Sequence, residues 1–175
     1  MLDRYGPCIV NDISAGGADA AMLPLVAAAG VPYIAMHMRG TPTSMHDMTM
    51  GEDVGGEVLR YFERKLETFD KLGITRVVID PGFGFSKDLR QNHELLRALP
   101  RLAALERPLL VGVSRKSMIW KVTGGTPQTA LAGTCALHWQ ALLSGATILR
   151  AHDVQQAVDV IKLFKYYDDT GKGHS

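Results

Sequence analysis

The sequence predicts an α/β domain built from five consecutive strand–helix units around a parallel sheet. Short, almost continuous apolar runs alternate with longer segments of helical periodicity, and polar residues follow every one of the five apolar runs. A strand that is buried on both faces of a parallel sheet is apolar at nearly every position. Because parallel strands need crossover connections, which are right-handed, this alternation favours a parallel sheet.

The five predicted strands are each a few residues long. They comprise residues 8–10, 32–36, 77–79, 108–113 and 146–149. A segment of helical pattern follows each strand, and these segments comprise residues 19–29, 52–72, 91–104, 127–143 and 154–166.

Single residues within these segments support the helical interpretation. Pro24 must fall in an early turn of the first helix or bend it. Gly30, Gly73 and Gly145 follow three of the helices, where a residue in the left-handed region would close each helix before the next strand. The second helix carries apolar residues at three- and four-residue steps, which define one buried stripe: Val54, Val58, Phe62, Leu66, Phe69 and Leu72.

Composition limits the class of protein. The chain has 175 residues, of which 46% are hydrophobic, and a net charge of +1. This is enough apolar material for one core and too little charge for a nucleic-acid surface. The sequence contains neither an apolar stretch of the roughly 18 residues that a membrane span needs nor a secretion signal at residues 1–7. We expect one domain at residues 1–167 and a fraying polar tail at residues 168–175.

The two cysteines, Cys8 and Cys135, lie far apart and form no C-x-x-C pattern. Both stand among apolar residues, so we expect buried free thiols rather than a disulfide or a metal site. This expectation favours a reducing, cytoplasmic location.

Two architectures fit the alternation: an open doubly wound sheet, or part of a (β/α)8 barrel. An open dinucleotide-binding sheet usually carries a G-x-G-x-x-G turn after its first strand, whereas residues 11–17 read Asn-Asp-Ile-Ser-Ala-Gly-Gly. Barrel enzymes take their catalytic groups from several strand ends on one face, so polar residues after all five strands favour the barrel. The strand-end residues are Asn11 and Asp12, His37 to Arg39, Asp80, Ser114 to Ser117, and Arg150 with His152 and Asp153.

Each strand-end residue also has a purely structural interpretation. Asp12 fits a cap of the first turn as well as it fits a ligand-binding group. Asp80 ends a buried strand and needs a partner, either a ligand or a structural ion pair. Arg115 and Lys116 precede a helix, where cations oppose the helix dipole unless an anion or polar ligand lies nearby.

Other candidate residues are assigned no site role. Met45, His46, Met48 and Met50 lie in a loop rich in Gly, Thr and Pro, which we interpret as a flap rather than a metal site. His93 and His138 fall on predicted helices, and we interpret them as surface or packing residues. The strand-end cations suit a phosphate or diphosphate, and a carboxylate suits the paired N–H donors of a flat heterocycle. The residues alone thus indicate a barrel enzyme that acts on a phosphorylated polar small molecule.

Five segments of the chain resemble dihydropteroate synthases, in the family's order and across nearly the whole length. They are residues 9–13 (Ile-Val-Asn-Asp-Ile), 36–40 (Met-His-Met-Arg-Gly), 80–85 (Asp-Pro-Gly-Phe-Gly-Phe), 111–117 (Val-Gly-Val-Ser-Arg-Lys-Ser) and 149–153 (Leu-Arg-Ala-His-Asp). The resemblance implies a (β/α)8 barrel. It also implies condensation of a dihydropterin-methyl diphosphate with p-aminobenzoate, which forms dihydropteroate for folate synthesis and releases diphosphate.

The same resemblance implies individual roles. Pterin would be bound by Asn11, Met36, Asp80, Gly112, Lys116 and Arg150. Phe85 and Ser117 would contact p-aminobenzoate, and Arg150 with His152 would bind the diphosphate. Lys116, Arg150 and His152 would be the catalytic residues.

The family's chains begin with three further β–α units, and the loop motifs of those units are not found in this sequence. The five units would then correspond to strands 4–8 of the family, the magnesium ligand would lie outside this chain, and the chain by itself would turn over little substrate. The resemblance also implies a homodimer. Two alternatives stay open: a folate-dependent methyltransferase with a related barrel, and a non-catalytic truncated chain that binds pterin or pairs with another chain through its open strand edges.

Overall fold

A computed structural model of the chain describes residue 6, residues 8–40 and residues 51–172. In these ranges the chain forms five parallel strands and six α-helices. The strands are β1 (Val10–Asp12), β2 (Tyr33–Met36), β3 (Val77–Asp80), β4 (Leu110–Val111) and β5 (Ile148–Leu149). The helices are α1 (Met22–Ala29), α2 (Val54–Lys71), α3 (Leu89–Ala103), α4 (Ser117–Thr123), α5 (Leu131–Leu143) and α6 (Val154–Lys172), with a short 3-10 helix at Pro127–Thr129 before α5.

The strands lie side by side in the order of the chain. β1, β2 and β3 form one ladder, and β4 pairs with β5. A parallel bridge between Ile79 and Leu109 joins the two groups. A doubly wound sheet reverses its strand order at a switch point, and this order does not reverse. The structure therefore confirms the predicted arrangement, which is part of a (β/α) barrel.

The predicted elements are found close to their expected positions, with differences that have local causes. β1 starts at Val10, two residues later than predicted, where the N–H of Val10 donates to the carbonyl of Pro32, the residue before β2, at 3.0 Å. The predicted helix at residues 127–143 is interrupted near Ala130, where the 3-10 helix ends and α5 begins. Helix α4 begins directly after Lys116, where a helix start was expected, although its seven residues are too few to show a period of their own.

The glycines predicted to close helices do so. Gly30 has φ +60°, Gly73 has φ +75° and Gly145 has φ +93°. Gly30 also donates its N–H to the carbonyls of Val26 and Ala27, which satisfies the end of α1. Pro24 lies in the first turn of α1, as its missing N–H requires.

The hydrophobic core lies between the sheet and the helices. Strand residues that point toward the helices, such as Tyr33 and Ile79, are fully buried. They pack against the predicted α2 stripe, in which Phe62 and Phe69 have no exposed surface. Leu72 departs from the prediction because it is the C-cap of α2 and is 41% exposed.

Two further expectations have a mixed outcome. Both cysteines are free, but Cys8 is exposed and Cys135 is half-buried, so the expectation that both are buried is wrong. Cys8 precedes β1 and stands outside the packed layer.

The first residues of the predicted tail continue helix α6 as far as Lys172. The loop that holds Met45, His46, Met48 and Met50 lies outside the described residues. Within the described ranges, no helix has the length and hydropathy to cross a membrane.

Candidate active site

Asp80 and Arg150 meet at the carboxyl end of the sheet. Asp80 ends β3 and is 1% exposed, and Arg150 directly follows β5. Arg150 Nη1 lies 2.8 Å from Asp80 Oδ2, and Asp80 Oδ1 accepts a hydrogen bond from Gly82 N at 2.9 Å. The guanidinium is close enough to pair with Oδ2 as a charge, but it makes no hydrogen bond of acceptable geometry with that oxygen. This buried oxygen thus keeps its capacity to accept a hydrogen bond.

Gly112 gives the Arg150 side chain room to reach Asp80. It follows β4, the strand that lies between β3 and β5, and it is buried. A Cβ atom at this position would lie 2.8 Å from Arg150 Nη2 and 3.1 Å from Nε. Any side chain here would push the guanidinium away from the strand end.

Lys116 reaches the same place from the loop after β4. Its Nζ donates to Phe83 O and lies 5.1 Å from the centre of the Phe85 ring. Burial lowers the pKa of Lys116 to about 8, with a further lowering from Arg150 and an opposing effect of Asp80. At neutral pH the amine is therefore still mostly protonated, in a setting where the charged form is less strongly favoured than in water.

The loop after β3 depends on a half-buried lysine that the sequence did not single out. Lys87 Nζ donates to Gly82 O at 3.0 Å and Phe85 O at 2.9 Å, and lies 3.1 Å from His37 Nδ1. Burial lowers the pKa of Lys87 to about 7. Burial and the nearby Lys87 charge lower the pKa of His37 to about 3. His37 thus serves as a neutral acceptor that helps to hold this loop.

The loop after β3 is also fixed by the close approach of Gly82 to the backbone of His37. Gly82 has φ +73°, and a Cβ there would lie 2.0 Å from His37 O. The sequence signal for this loop is its Pro-Gly-Phe-Gly-Phe pattern, but no local signal connects it to Lys87 and His37. Those contacts join residues 50 positions apart.

The loops after β4 and β5 are joined by two contacts. Ser114 Oγ lies 3.0 Å from His152 Nδ1 and 3.1 Å from His152 N. Arg115 forms a two-point pair with Asp153, with Nε–Oδ2 and Nη2–Oδ1 distances of 2.9 and 2.6 Å. Hydrogen bonding to Arg115 and its positive charge lower the pKa of Asp153. Arg115 is therefore engaged in a structural pair, unlike Lys116 beside it.

Asp12 has the structural role that its sequence allowed. Its two carboxylate oxygens accept hydrogen bonds from Ser14 N, Ser14 Oγ, Gly16 N and Tyr33 Oη, at 2.7–2.8 Å. Burial acts to raise the pKa of Asp12, but these hydrogen bonds outweigh it and the pKa is lowered. Asp12 therefore caps the turn after β1 and holds Tyr33 in the core.

The remaining predicted site residues lie on the inner side of the sheet or at its carboxyl end. Asn11 is exposed and is in register with Ile34, which is in register with Val78. Side chains in register share a face of a parallel sheet, and so do residues two apart. Asn11 therefore lies on the same face as Asp80. Met36 is paired with Asp80 and is 1% exposed. Ser117 is the first residue of α4 and is half-buried.

The two helical histidines are packing residues, as predicted. His93 Nε2 contacts Met118 O at 2.9 Å, and His138 is 1% exposed within α5.

Among the described residues, no group of three or more His, Cys, Asp or Glu side chains could hold a metal ion. The open part of the site is a pocket of about 180 Å³, lined by Gly112, Ser114, Lys116, Arg150, Ala151 and His152.

The fold and the pocket define a partial (β/α) barrel with a cationic pocket and a buried carboxylate at the carboxyl ends of its strands. Residues 2–152 match the family model described as pterin binding enzyme. The chain therefore belongs to the pterin-binding enzyme family.

Curated relatives agree with this family. The chain is 38% identical over 162 residues to dihydropteroate synthase of Escherichia coli K12, and the match covers 91% of this chain and 57% of that protein. It is also 38% identical over 162 residues to the bifunctional dihydropteroate synthase/dihydropteroate reductase of Helicobacter pylori, with coverage of 93% and 42%. The chain thus spans about half the length of the curated relatives it matches.

Solved structures give the same result for the fold. A Yersinia pestis dihydropteroate synthase in complex with a sulfonamide drug superposes with a TM-score of 0.90 at 34% identity, over 96% of this chain and 62% of that one. Dihydropteroate synthase from Thermus thermophilus, in complex with 6HMPPP, superposes with a TM-score of 0.85 at 36% identity, over 90% and 63%. These matches confirm the barrel family that the sequence predicted.

Proposed function

We propose that this chain carries the pterin and diphosphate sites of a dihydropteroate synthase. The proposed reaction joins a dihydropterin-methyl diphosphate to p-aminobenzoate, giving dihydropteroate and diphosphate. The observation that carries the proposal is the buried Asp80 Oδ2, which lacks a hydrogen-bond donor among the described residues and lies beside Arg150 and close to Lys116. A buried carboxylate oxygen of this kind suits the paired N–H groups of a pterin edge.

In the proposed site Asp80 accepts hydrogen bonds from the pterin's guanidine-like nitrogens. Asn11, on the same face of the sheet, hydrogen-bonds the pterin edge, and Met36 lines the pocket. Lys116 donates to the pterin carbonyl side, which fits an amine that is still mostly protonated at neutral pH. Arg150 covers the pterin face, in the room left by Gly112.

The chemical step in this proposal needs no nucleophilic side chain. The aniline nitrogen of p-aminobenzoate attacks the pterin methylene carbon, the C–N bond forms, the C–O bond to diphosphate breaks, and the nitrogen releases one proton to solvent. The departing diphosphate takes up the negative charge, which Arg150 and His152 stabilise at the pocket wall. A preorganised donor to a developing charge contributes roughly 3–4 kcal/mol in comparable sites.

Phe85 and Ser117 are the proposed contacts for p-aminobenzoate. Phe85 stands beside Lys116, and Ser117 directly follows Lys116 as the first residue of α4. Among related proteins, the Xanthomonas albilineans dihydropteroate synthase has been solved with 4-aminobenzoic acid and with 7,8-dihydropteroate. The proposal extends such ligands from that protein to this chain.

Three broader expectations belong to the same proposal. Free cysteines suit a cytoplasmic location. Exposed apolar side chains on one side of α6, namely Leu163, Tyr166 and Tyr167, offer a surface for a homodimer. Magnesium stays an expectation from the family, since the described residues do not form a metal site.

The test of the proposal is dihydropteroate formation. The natural polypeptide, including any upstream coding sequence that reads in frame into this chain, is assayed beside its Lys116→Ala and Asp80→Ala variants. We expect turnover by the natural polypeptide, a large loss in both variants, and little turnover by the isolated 175 residues. Near-parental rates in both variants would refute the assigned site.

A further inference from the structure

Ser114 and His152 form a contact to which the proposed reaction assigns no role. Ser114, in the loop after β4, is 3% exposed, whereas His152 lines the pocket. The serine Oγ lies within hydrogen-bond distance of two His152 nitrogens, the backbone N at 3.1 Å and Nδ1 at 3.0 Å.

The protons of this contact can be assigned from donor and acceptor chemistry. The backbone N–H of His152 can only donate, so Ser114 Oγ accepts that hydrogen bond. The hydroxyl of Ser114 has one proton to give, and among the described residues Oγ makes no other hydrogen bond. Because Ser114 is buried, its proton would be left without an acceptor unless it goes to Nδ1. The neutral His152 ring then carries its own proton on Nε2.

We propose that Ser114 is a positioning residue that fixes the tautomer and orientation of His152. With Nδ1 held as an acceptor, Nε2–H becomes the donor that His152 offers to an anion in the pocket. The tautomer follows from this chain's geometry alone, whereas the anion's identity as a diphosphate rests on the proposed function. A His152 ring that is already held in place loses less conformational freedom when an anion binds. Its Nε2 also stays protonated, because the ring does not change to the tautomer in which Nε2 is an acceptor.

A second contact maintains the geometry. Arg115, next to Ser114, is paired with Asp153, next to His152. Arg115 has φ +54°, a strained value for a residue with a side chain. Its N–H donates to Thr134 Oγ1 at 3.1 Å, so side-chain and main-chain contacts both hold this turn. These contacts keep the two loops, and with them Ser114 and His152, at a fixed separation.

The test is the tautomer of His152, measured by long-range ¹H–¹⁵N NMR on the full chain at about pH 8.5, where an ordinary imidazole is neutral. Signals of His152 are assigned by their loss in His152→Gln. We expect one tautomer in the parent chain, with the proton on Nε2 and Nδ1 as an acceptor, and an exchanging mixture in Ser114→Ala. Ser144→Ala is the matched control, because Ser144 is also buried but bonds Gln140 at the far end of α5. A mixture or an Nδ1–H tautomer in the parent, or an unchanged spectrum in Ser114→Ala, overturns the proposal.

A titration with inorganic pyrophosphate separates this proposal from the function on which it builds. We expect Ser114→Ala to bind pyrophosphate about two- to tenfold more weakly than the parent and the Ser144→Ala control, the range of one hydrogen bond. Equal affinities would overturn the positioning role. If the parent shows the expected tautomer but binds no pyrophosphate, the diphosphate role of His152 is wrong and the tautomer assignment stands.

Discussion

The outer face of the sheet, which packs against the helices, differs from the carboxyl end of the sheet. The outer face is formed by fully buried apolar packing, whereas the carboxyl end has buried polar groups that are not fully hydrogen-bonded. On the outer face, Tyr33 of β2 is wholly buried and packs against Phe69 of α2, and Phe62 of the same helix lies in the same buried cluster. At the carboxyl end, a buried carboxylate oxygen finds no donor among the described residues, and two lysines have lowered pKa values. The outer face stabilises the fold, whereas the carboxyl end keeps unsatisfied polar groups that a ligand can satisfy.

The largest expected effect lies on the outer face. Phe69→Ala removes a fully buried ring that packs edge-on against Tyr33. We expect the free energy of unfolding to fall by about 3–5 kcal/mol, because a buried phenyl group is lost and a cavity remains. Urea unfolding followed by circular dichroism measures it, with exposed Leu25→Ala as the control. A loss below about 1 kcal/mol would contradict the view that this layer carries the stability.

Lys87 should make stability depend on pH. Burial lowers its pKa from 10.5 to about 7. Between these values the unfolded chain holds a proton that the folded chain has released, so the free energy of unfolding rises with pH. The contribution is at most about 1.4 kcal/mol per pH unit.

Urea unfolding between about pH 7 and pH 9 tests this slope. In Lys87→Met we expect a weaker rise, with the part due to Lys116 remaining. Lys162→Met, at an exposed position on α6, should keep the parental slope. An unchanged slope in Lys87→Met would show that this lysine stays protonated in the folded chain over that range.

Gly112→Ala should weaken ligand binding at the carboxyl end and leave the stability that the outer face provides nearly unchanged. The new Cβ would lie 2.8 Å from Arg150 Nη2, at the end of a flexible side chain that can move aside. We expect pyrophosphate affinity to fall about threefold to tenfold, while the free energy of unfolding changes by less than about 1 kcal/mol. Gly171→Ala, where nothing lies within 4 Å, is the control. Parental affinity in Gly112→Ala would mean that the Arg150 position does not matter for binding.

The smallest effect is expected at an exposed pair on α3. Arg90 Nε lies 2.8 Å from Glu94 Oε1, one helical turn away, and the Arg90 side chain is 74% exposed. Water screens such pairs, so Arg90→Ala should change the free energy of unfolding by less than about 0.5 kcal/mol. Urea unfolding measures this change as well. A loss comparable to that of Phe69→Ala would show that the packed outer face is not the main source of stability.

The features predicted from the sequence were those with a local cause. Strand order, helix-closing glycines such as Gly30, and the gathering of Asp80 and Arg150 at one end follow from short patterns along the chain. Parallel strands place their carboxyl ends together, so separate segments could be assigned to one site before any distance was known.

Pairings between distant residues could not be predicted. Arg115 was open to either a ligand or a structural role, and only the fold shows Asp153 beside it. Lys87 carries no local signal, since its partner His37 lies on another strand end. Asp12 could equally be a cap or a ligand group, because both roles use the same residue in the same turn.

The central claim is that the carboxyl end binds a pterin through Asp80. Its most direct test is calorimetric titration of the chain with 6-hydroxymethyl-dihydropterin diphosphate, beside Asp80→Asn and the exposed control Asp159→Asn. Loss of a charged hydrogen-bond acceptor should weaken binding about tenfold or more in Asp80→Asn and leave Asp159→Asn at the parental affinity. If Asp80→Asn binds this compound as tightly as the parent chain does, the account of the site is wrong.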